Sequence, residues 1–296
     1  MSVEVVTCIS PKEAEEFALD VLKLHKYWAT HDTYFHTLGA VTYLEAFNAN
    51  GPLEPEKLGG YYSHKEKMNP VLNERFSGLY KRIMATLSEK IGPAALIDEL
   101  GFPGFHIFGA TPDKGFIDQD FIDNFNGESW GNLHIDIQYI PHLPVLKKYK
   151  KINLEKTLSF TLALRLPKNG SGLRIWRNIE GRENIERFNY LDLEDRIEVI
   201  GSPNEITYET GNLTFFTGHL VHQVPSTKGL LSDDLRITLQ GHGVCCDGVW
   251  RLYFLIPFQT LAGKLMNWNF MFCEMLFNDS FASGYLNKFG LSYYYC

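Results

Sequence analysis

The sequence predicts a mainly β protein with flanking helices, and three observations lead there. After Gly101 the chain breaks into short β-prone runs, "GFHIFG", "NLHIDIQYI", "TLSFTLALRLP", "SGLRIW", "IEVI", "NEITYET", "GNLTFFTG", "LRITLQGHGV" and "GVWRLYFLIPF", separated by Gly, Pro, Asn and Asp. The first hundred residues carry helix signals instead. The last thirty-odd, from Ala262, are rich in aromatics. Many short strands at close spacing point to a sandwich, barrel or jelly roll.

The elements follow in order. In "SPKEAEEFALDVLKLHKYW", Ser10 is an N-cap, Pro11 takes the first helical position, and apolar residues recur at helical spacing. "YFHTLGAVTYLEAF" reads equally as a strand or a short helix. "NPVLNERFSGLYKRIMATLSEKIG" predicts a second helix, capped by Asn69, opened by Pro70 and ended by Gly92. "YYSHKEKMNP", with Tyr61, Tyr62 and His64, reads as a connecting loop before that helix, able to cover a pocket. The strands come next, and the tail "MNWNFMFCEMLFNDSFASGYLNKFG" is expected to pack as a helix over them or on the domain's flank. The sequence shows no repeat and no obvious linker. We therefore expect one domain over residues 1–296. Within it, residues 1–100 are mostly helical, 101–261 form a β core, and 262–296 make an aromatic-rich C-terminal segment.

Composition narrows the function. The chain has 296 residues, 45% hydrophobic and 21% charged, enough for a sizeable core. A net charge of −7, with no Lys/Arg-rich run, gives no footprint for a nucleic-acid partner. Five cysteines (Cys8, Cys245, Cys246, Cys273 and Cys296) lack metal-site spacing, and the adjacent pair Cys245–Cys246 suits strand packing better than a disulfide. The N-terminus has neither a basic nor an apolar leader region, and no apolar run approaches a membrane span. The expectation is a cytoplasmic protein with no membrane partner.

One strand carries unusual chemistry. In "GNLHIDIQY" alternation sets His134 and Asp136 on one face, flanked by Asn132 and Gln138, while Leu133, Ile135 and Ile137 face the other way. Alone, the pair reads as well as a hydrogen bond at a sheet rim. Farther on, "GNLTFFTGHLVHQVPSTKGLLSDDLRITLQGHG" supplies His219 and His222, then Arg236 with Thr238 two places on and on the same strand face. Two imidazoles and a carboxylate make the set that holds non-haem Fe(II) and leaves coordination positions open. Arginine has the planar fork that binds a carboxylate in two places, and a threonine hydroxyl adds a donor.

This ordered pattern, H-x-D, a distal histidine and Arg-x-Thr, resembles the Fe(II)/2-oxoglutarate-dependent oxygenases. "LALRLPKNGSGLRIW" and "GNLTFFTGHLVHQV" resemble that family's stretches between and before the metal-binding segments, and the likeness covers roughly 101–245. The resemblance implies a double-stranded β-helix (jelly-roll, cupin-like) core. It implies iron bound by His134, Asp136 and His222, with Arg236 and Thr238 gripping the far carboxylate of 2-oxoglutarate. His219 competes with His222 for the distal role; "HQVPS" and the shorter distance to Arg236 favour His222. The implied reaction consumes O2 and 2-oxoglutarate, releases succinate and CO2, and oxidises a small molecule, an amino acid or natural-product intermediate, through a ferryl species. Related halogenases replace the carboxylate ligand by a small residue; Asp136 is present here, which favours hydroxylation, desaturation or oxidative cyclisation.

Residues sharing the ligands' face are candidates for the substrate wall: Asn132, Gln138, Gln240 and His242, with Trp130 as a lid or side and His106 reaching in from a neighbouring strand. Each reads as readily as a satisfied rim group or packed aromatic. Trp250 and Tyr253 read as sheet core, and Asp233–Asp234 as a solvated turn. Two other functions compete: a cupin-like metal enzyme that dispenses with 2-oxoglutarate, such as an isomerase, and a non-catalytic jelly-roll binding protein.

Overall fold

The computed structural model describes residues 3–30, 35–40, 59–109, 134–136, 139, 142–169, 171–176, 201–225, 230–231 and 234–254. The expectations for Trp130, Asn132, Gln138, the "IEVI" strand, Asp233 and the tail lie outside these residues.

The chain enters as a strand, β1 (Val3–Thr7), and turns into helix α1 (Pro11–Lys23). Ser10 and Glu13 close that helix's first turn by a reciprocal capping box. Ala14, Ala18 and Val21 form its buried stripe. A single 3-10 turn (His25–Tyr27) leads to strands β2 (Ala29–Thr30) and β3 (Phe35–Leu38), so the "FHTL" part of that segment is a strand.

Helix α2 (Gly59–Ile91) begins ten residues before the predicted cap and runs through Pro70. The physical reason is the buried stripe Tyr61, Lys65, Met68, Leu72, Phe76, Leu79, Tyr80, Ile83 and Leu87, which keeps its spacing across the proline. Pro70 lies on the exposed side, where water can satisfy the carbonyl its missing N–H frees. Asn69 therefore caps nothing. Its amide donates to Leu100 O (2.8 Å) and accepts from Phe102 N (3.0 Å), tying the helix to the entry of the next strand. The expected loop over Tyr61 to His64 is likewise helix. Tyr61 is fully buried, donating to Phe254 O and accepting from Gly101 N.

The remaining elements are β4 (Ala94–Leu96), β5 (Gly104–Phe108), β6 (His134–Ile135), a short helix α3 (Leu143–Leu146), β7 (Ile152–Arg165), β8 (Gly172–Trp176), β9 (Asn204–Thr207), β10 (Asn212–Thr217), β11 (Val221–Gln223), β12 (Arg236–Cys246) and β13 (Val249–Tyr253). The described strands form two sheets. The larger runs β1-β10-β7-β12-β5-β3-β2, with β13 beside β12 and β4 beside β13; the smaller runs β6-β11-β8-β9. All pairs are antiparallel except β13 with β4. The protein is mainly β with few helices. The first hundred residues do not stand apart as a helical region, because β1 to β4 join the same sheet as the later strands.

Strand alternation sorts the large sheet's two faces. Leu158, Phe160 and Leu162 of β7, Leu213 and Phe215 of β10, and Ile237 and Leu239 of β12 pack with α1 and α2 into one core. The opposite face meets the small sheet, where Ala163, Leu173, Ile175, Tyr208, Phe216 and Leu220 cluster. Gly211 makes the turn into β10 with φ +88°, and its carbonyl accepts from Cys8 N and Ile9 N; a Cβ there would lie 2.3 Å from Ile9 O. Cys8, Cys245 and Cys246 are free thiols. Among the described residues no helix is long and apolar enough to cross a membrane.

Candidate active site

A cavity opens between the sheets. Its lining includes Arg236, Gln240 and His242 from β12, His106 from β5, Ser159 from β7 and His222 from β11. Asp136, just past β6, closes the group. Alternation on β12 explains the polar wall: residues 236, 238, 240 and 242 face inward, and the same face turns apolar at Val244 and Cys246, which join a second core.

Pairing brings the two chemistry-bearing segments together. β6 and β11 lie side by side with position 134 directly opposite His222 and Ile135 opposite Val221. Asp136 is 5% exposed, and its Oδ2 lies 3.4 Å from His222 Nε2. His222 Nδ1 lies 2.9 Å from Leu220 O. A carbonyl only accepts, so Nδ1 carries a proton and, in the neutral ring, Nε2 turns a lone pair toward the carboxylate. Two donor atoms each about 2.1 Å from one ion sit roughly 3.0–3.4 Å apart. The observed separation suits that geometry. Among the described residues no three His, Cys, Asp or Glu side chains gather as a metal site, and the His134 side chain is outside that set.

Arg236 is the second notable group. It is 1% exposed, and its Nε donates to Ser171 Oγ (2.9 Å). The Phe108 and Tyr208 rings lie 5.4 and 6.0 Å from the guanidinium carbon. Among the described residues Nη1 and Nη2 have no hydrogen-bond partner. Burial pushes the group's pKa down to about 10, against a small opposing effect of Tyr208, so it stays a cation at neutral pH. A buried cation with two vacant donors, opening on a cavity, is costly unless an anion meets it.

The other predicted residues fall as follows. Thr238 is fully buried between Arg236 and Gln240, and its Oγ1 accepts from Gln240 Nε2 at 3.4 Å. Gln240, His242 and His106 line the cavity. His219 instead lies against Tyr139, ring centroids 6.0 Å apart, and burial lowers its pKa. Trp250 and Tyr253 are buried in the sheet cores. Asp234, expected in a solvated turn, is 3% exposed; it accepts from Leu231 N within its own turn and from Lys168 N of a loop distant in sequence.

Three cavity neighbours escaped the sequence reading. Ser159 donates to Asp136 Oδ2 at 2.5 Å, Ser171 holds Arg236, and Tyr208 flanks the guanidinium. A serine on the inward parity of the apolar run "TLSFTLALR" was the available signal for the first. Ser171 sits in a turn and Tyr208 past a strand end, and pattern alone marks neither.

Comparison with known proteins yields no matching family model and no matching curated protein. Among solved structures, the chain is similar to an N-substituted L-amino acid dioxygenase in complex with alpha-ketoglutarate from Burkholderia ambifaria (15% identity, 85% of this chain and 86% of that one, TM-score 0.46). It is also similar to the non-haem alpha-ketoglutarate-dependent epimerase SnoN of nogalamycin biosynthesis (11%, 84% and 80%, 0.43). A third is HygX from Streptomyces hygroscopicus with nickel and 2-oxoglutarate bound (14%, 81% and 82%, 0.40).

Proposed function

We propose that this chain is an Fe(II)/2-oxoglutarate-dependent oxygenase with a double-stranded β-helix core in a single domain. In this reading it hydroxylates, desaturates or oxidatively cyclises a small molecule, an amino acid or natural-product intermediate. The observation that carries it is the buried Arg236, whose two vacant Nη groups open on the same cavity as the Asp136–His222 edge. A dicarboxylate spanning that cavity satisfies both ends: one carboxylate on the guanidinium fork, the other near the ligand edge.

By donor type the residues suit the implied groups. His134, Asp136 and His222 would hold the iron, a borderline metal for imidazole and carboxylate donors. When bound, iron with 2-oxoglutarate and O2 supplies oxidative decarboxylation and hydrogen abstraction from a substrate carbon. The chain's own share is positional. Leu220 O fixes the His222 tautomer, and Ser171 sets the guanidinium plane. Thr238 is the proposed companion donor to Arg236, which requires Gln240 to release its hydroxyl. Gln240 belongs to the substrate wall in this reading, as do Trp130, Asn132 and Gln138. A metal enzyme that dispenses with 2-oxoglutarate has no use for a buried guanidinium left open.

The test is iron-dependent conversion of 2-oxoglutarate to succinate by the purified protein, with and without candidate substrates. Arg236→Ala should weaken 2-oxoglutarate binding by about 100-fold, the scale of losing one partner of a buried charge pair. A wild-type protein that neither binds 2-oxoglutarate in calorimetry nor turns it over with Fe(II) overturns the proposal.

A further inference from the structure

The carboxylate at the centre of the site is held from the large sheet. Ser159 of β7 and His242 of β12 stand opposite each other on the ladder of the large sheet. Both reach the same oxygen across the gap between the sheets: Ser159 Oγ donates to Asp136 Oδ2 at 2.5 Å, and His242 Nδ1 lies 3.7 Å from it. Ser159 is 5% exposed, His242 6% and Asp136 5%, so the contact is buried. The small sheet carries the ligand edge and the large sheet carries the clamp.

We propose that Ser159 and His242 are positioning residues for the metal-binding carboxylate, with Ser159 the stronger of the two. This rests on the reading of Asp136 as a metal ligand. Asp136 has two side-chain torsions and lies just past the described residues of β6. Its backbone alone does not fix the carboxylate plane. The Ser159 hydroxyl removes that freedom: a donor on Oδ2 holds the plane in one rotation, with Oδ2 still 3.4 Å from His222 Nε2. His242, buttressed by the Tyr253 ring at 6.1 Å, blocks the carboxylate from swinging toward β12. Partners behind a ligand of this kind change metal affinity by about 10- to 100-fold when removed.

The experiment measures metal binding, not turnover. Purified full-length protein is titrated with Co(II) under anaerobic conditions and followed by its visible absorption bands. Wild type, Ser159→Ala, Ser159→Thr, His242→Phe and Asp136→Ala are compared, with thermal melts of each metal-free protein. The expected result is a Co(II) dissociation constant raised about tenfold in Ser159→Ala, recovered in Ser159→Thr, with shifted bands in Ser159→Ala and His242→Phe. Equal affinities and identical spectra in wild type and Ser159→Ala overturn the inference while leaving Asp136 a ligand. Loss that Ser159→Thr does not recover also overturns it, since the hydroxyl is then not the cause. A wild type that binds Co(II) no better than Asp136→Ala overturns the functional reading itself, a different outcome.

Discussion

His142 shows how one buried side chain couples the fold to solution conditions. It is fully buried against the rings of Tyr61 and Tyr253, at 5.0 and 5.3 Å, and among the described residues neither ring nitrogen has a hydrogen-bond partner. Burial, then the nearby His242, pushes its pKa down to about 3. An unfolded chain binds this proton near pH 6.5, so the unfolded state takes up more protons between about pH 6.5 and 3. Stability from this residue is complete above that window and falls as the pH drops through it, by at most about 1.4 kcal/mol per pH unit. His142→Phe, which keeps an aromatic ring in the cage, should flatten the acid limb of a stability–pH curve. Urea melts at pH 7.5 and pH 5 check this; parallel curves for the two proteins refute it.

At the scale of elements, α2 is the member whose boundaries matter most to the site. It passes beneath the large sheet, and its Asn69 and Tyr80 hold the backbone leading into β5: Asn69 at Leu100 and Phe102, Tyr80 through its hydroxyl to Pro103 O at 2.7 Å. β5 in turn pairs with β12 across Arg236, Thr238 and Gln240. Asn69→Ala leaves Leu100 O and Phe102 N unpaired in a half-buried place, at a cost of about 2 kcal/mol. Asn69→Asp keeps the acceptor for Phe102 N and should lose less. Denaturant midpoints with an unchanged slope are the measure; an unaltered midpoint in Asn69→Ala would mean that water replaces both bonds.

For the whole molecule, the cavity lies between two sheets that carry different halves of the proposed site. Arg236 belongs to the large sheet, while Asp136 and His222 border the small one. In the proposed reading a dicarboxylate with a metal ion would bridge layers that already meet through apolar contacts such as Leu173 and Phe216 and polar ones such as Ser159 with Asp136. Binding to the folded state alone at 100 times the dissociation constant adds about 2.7 kcal/mol, or about 5 °C in Tm for a chain of this size. We expect that rise with 2-oxoglutarate and a redox-inert divalent ion together. In Arg236→Ala the increment due to the keto acid should vanish and the increment due to the metal should remain. An equal keto-acid increment in both proteins would mean that it binds elsewhere.

Much of this architecture was legible in order along the chain. Alternation in "TLSFTLALR" and "LRITLQGHGV", turn residues between runs and the Ser10–Pro11 cap are local signals, and local backbone preferences obey them. The pattern H-x-D, His, Arg-x-Thr was legible for the same reason, since residue types and strand parity are written in one dimension. Three-dimensional pairing decided the rest. The start of α2 was set by a buried stripe that outweighed the proline, and β1 became a strand because β10 offered it an edge. Asp234 bonds both within its own turn and to Lys168 N, distant from it in sequence. The partners of Asp136 and Arg236, namely Ser159, His242, Ser171 and Tyr208, come from strands and turns that meet only when two sheets stack. Sequence alone determined which chemistry the inward faces could carry; tertiary structure decided which groups face one another, because contact across a sandwich depends on register and layer packing that no local propensity encodes.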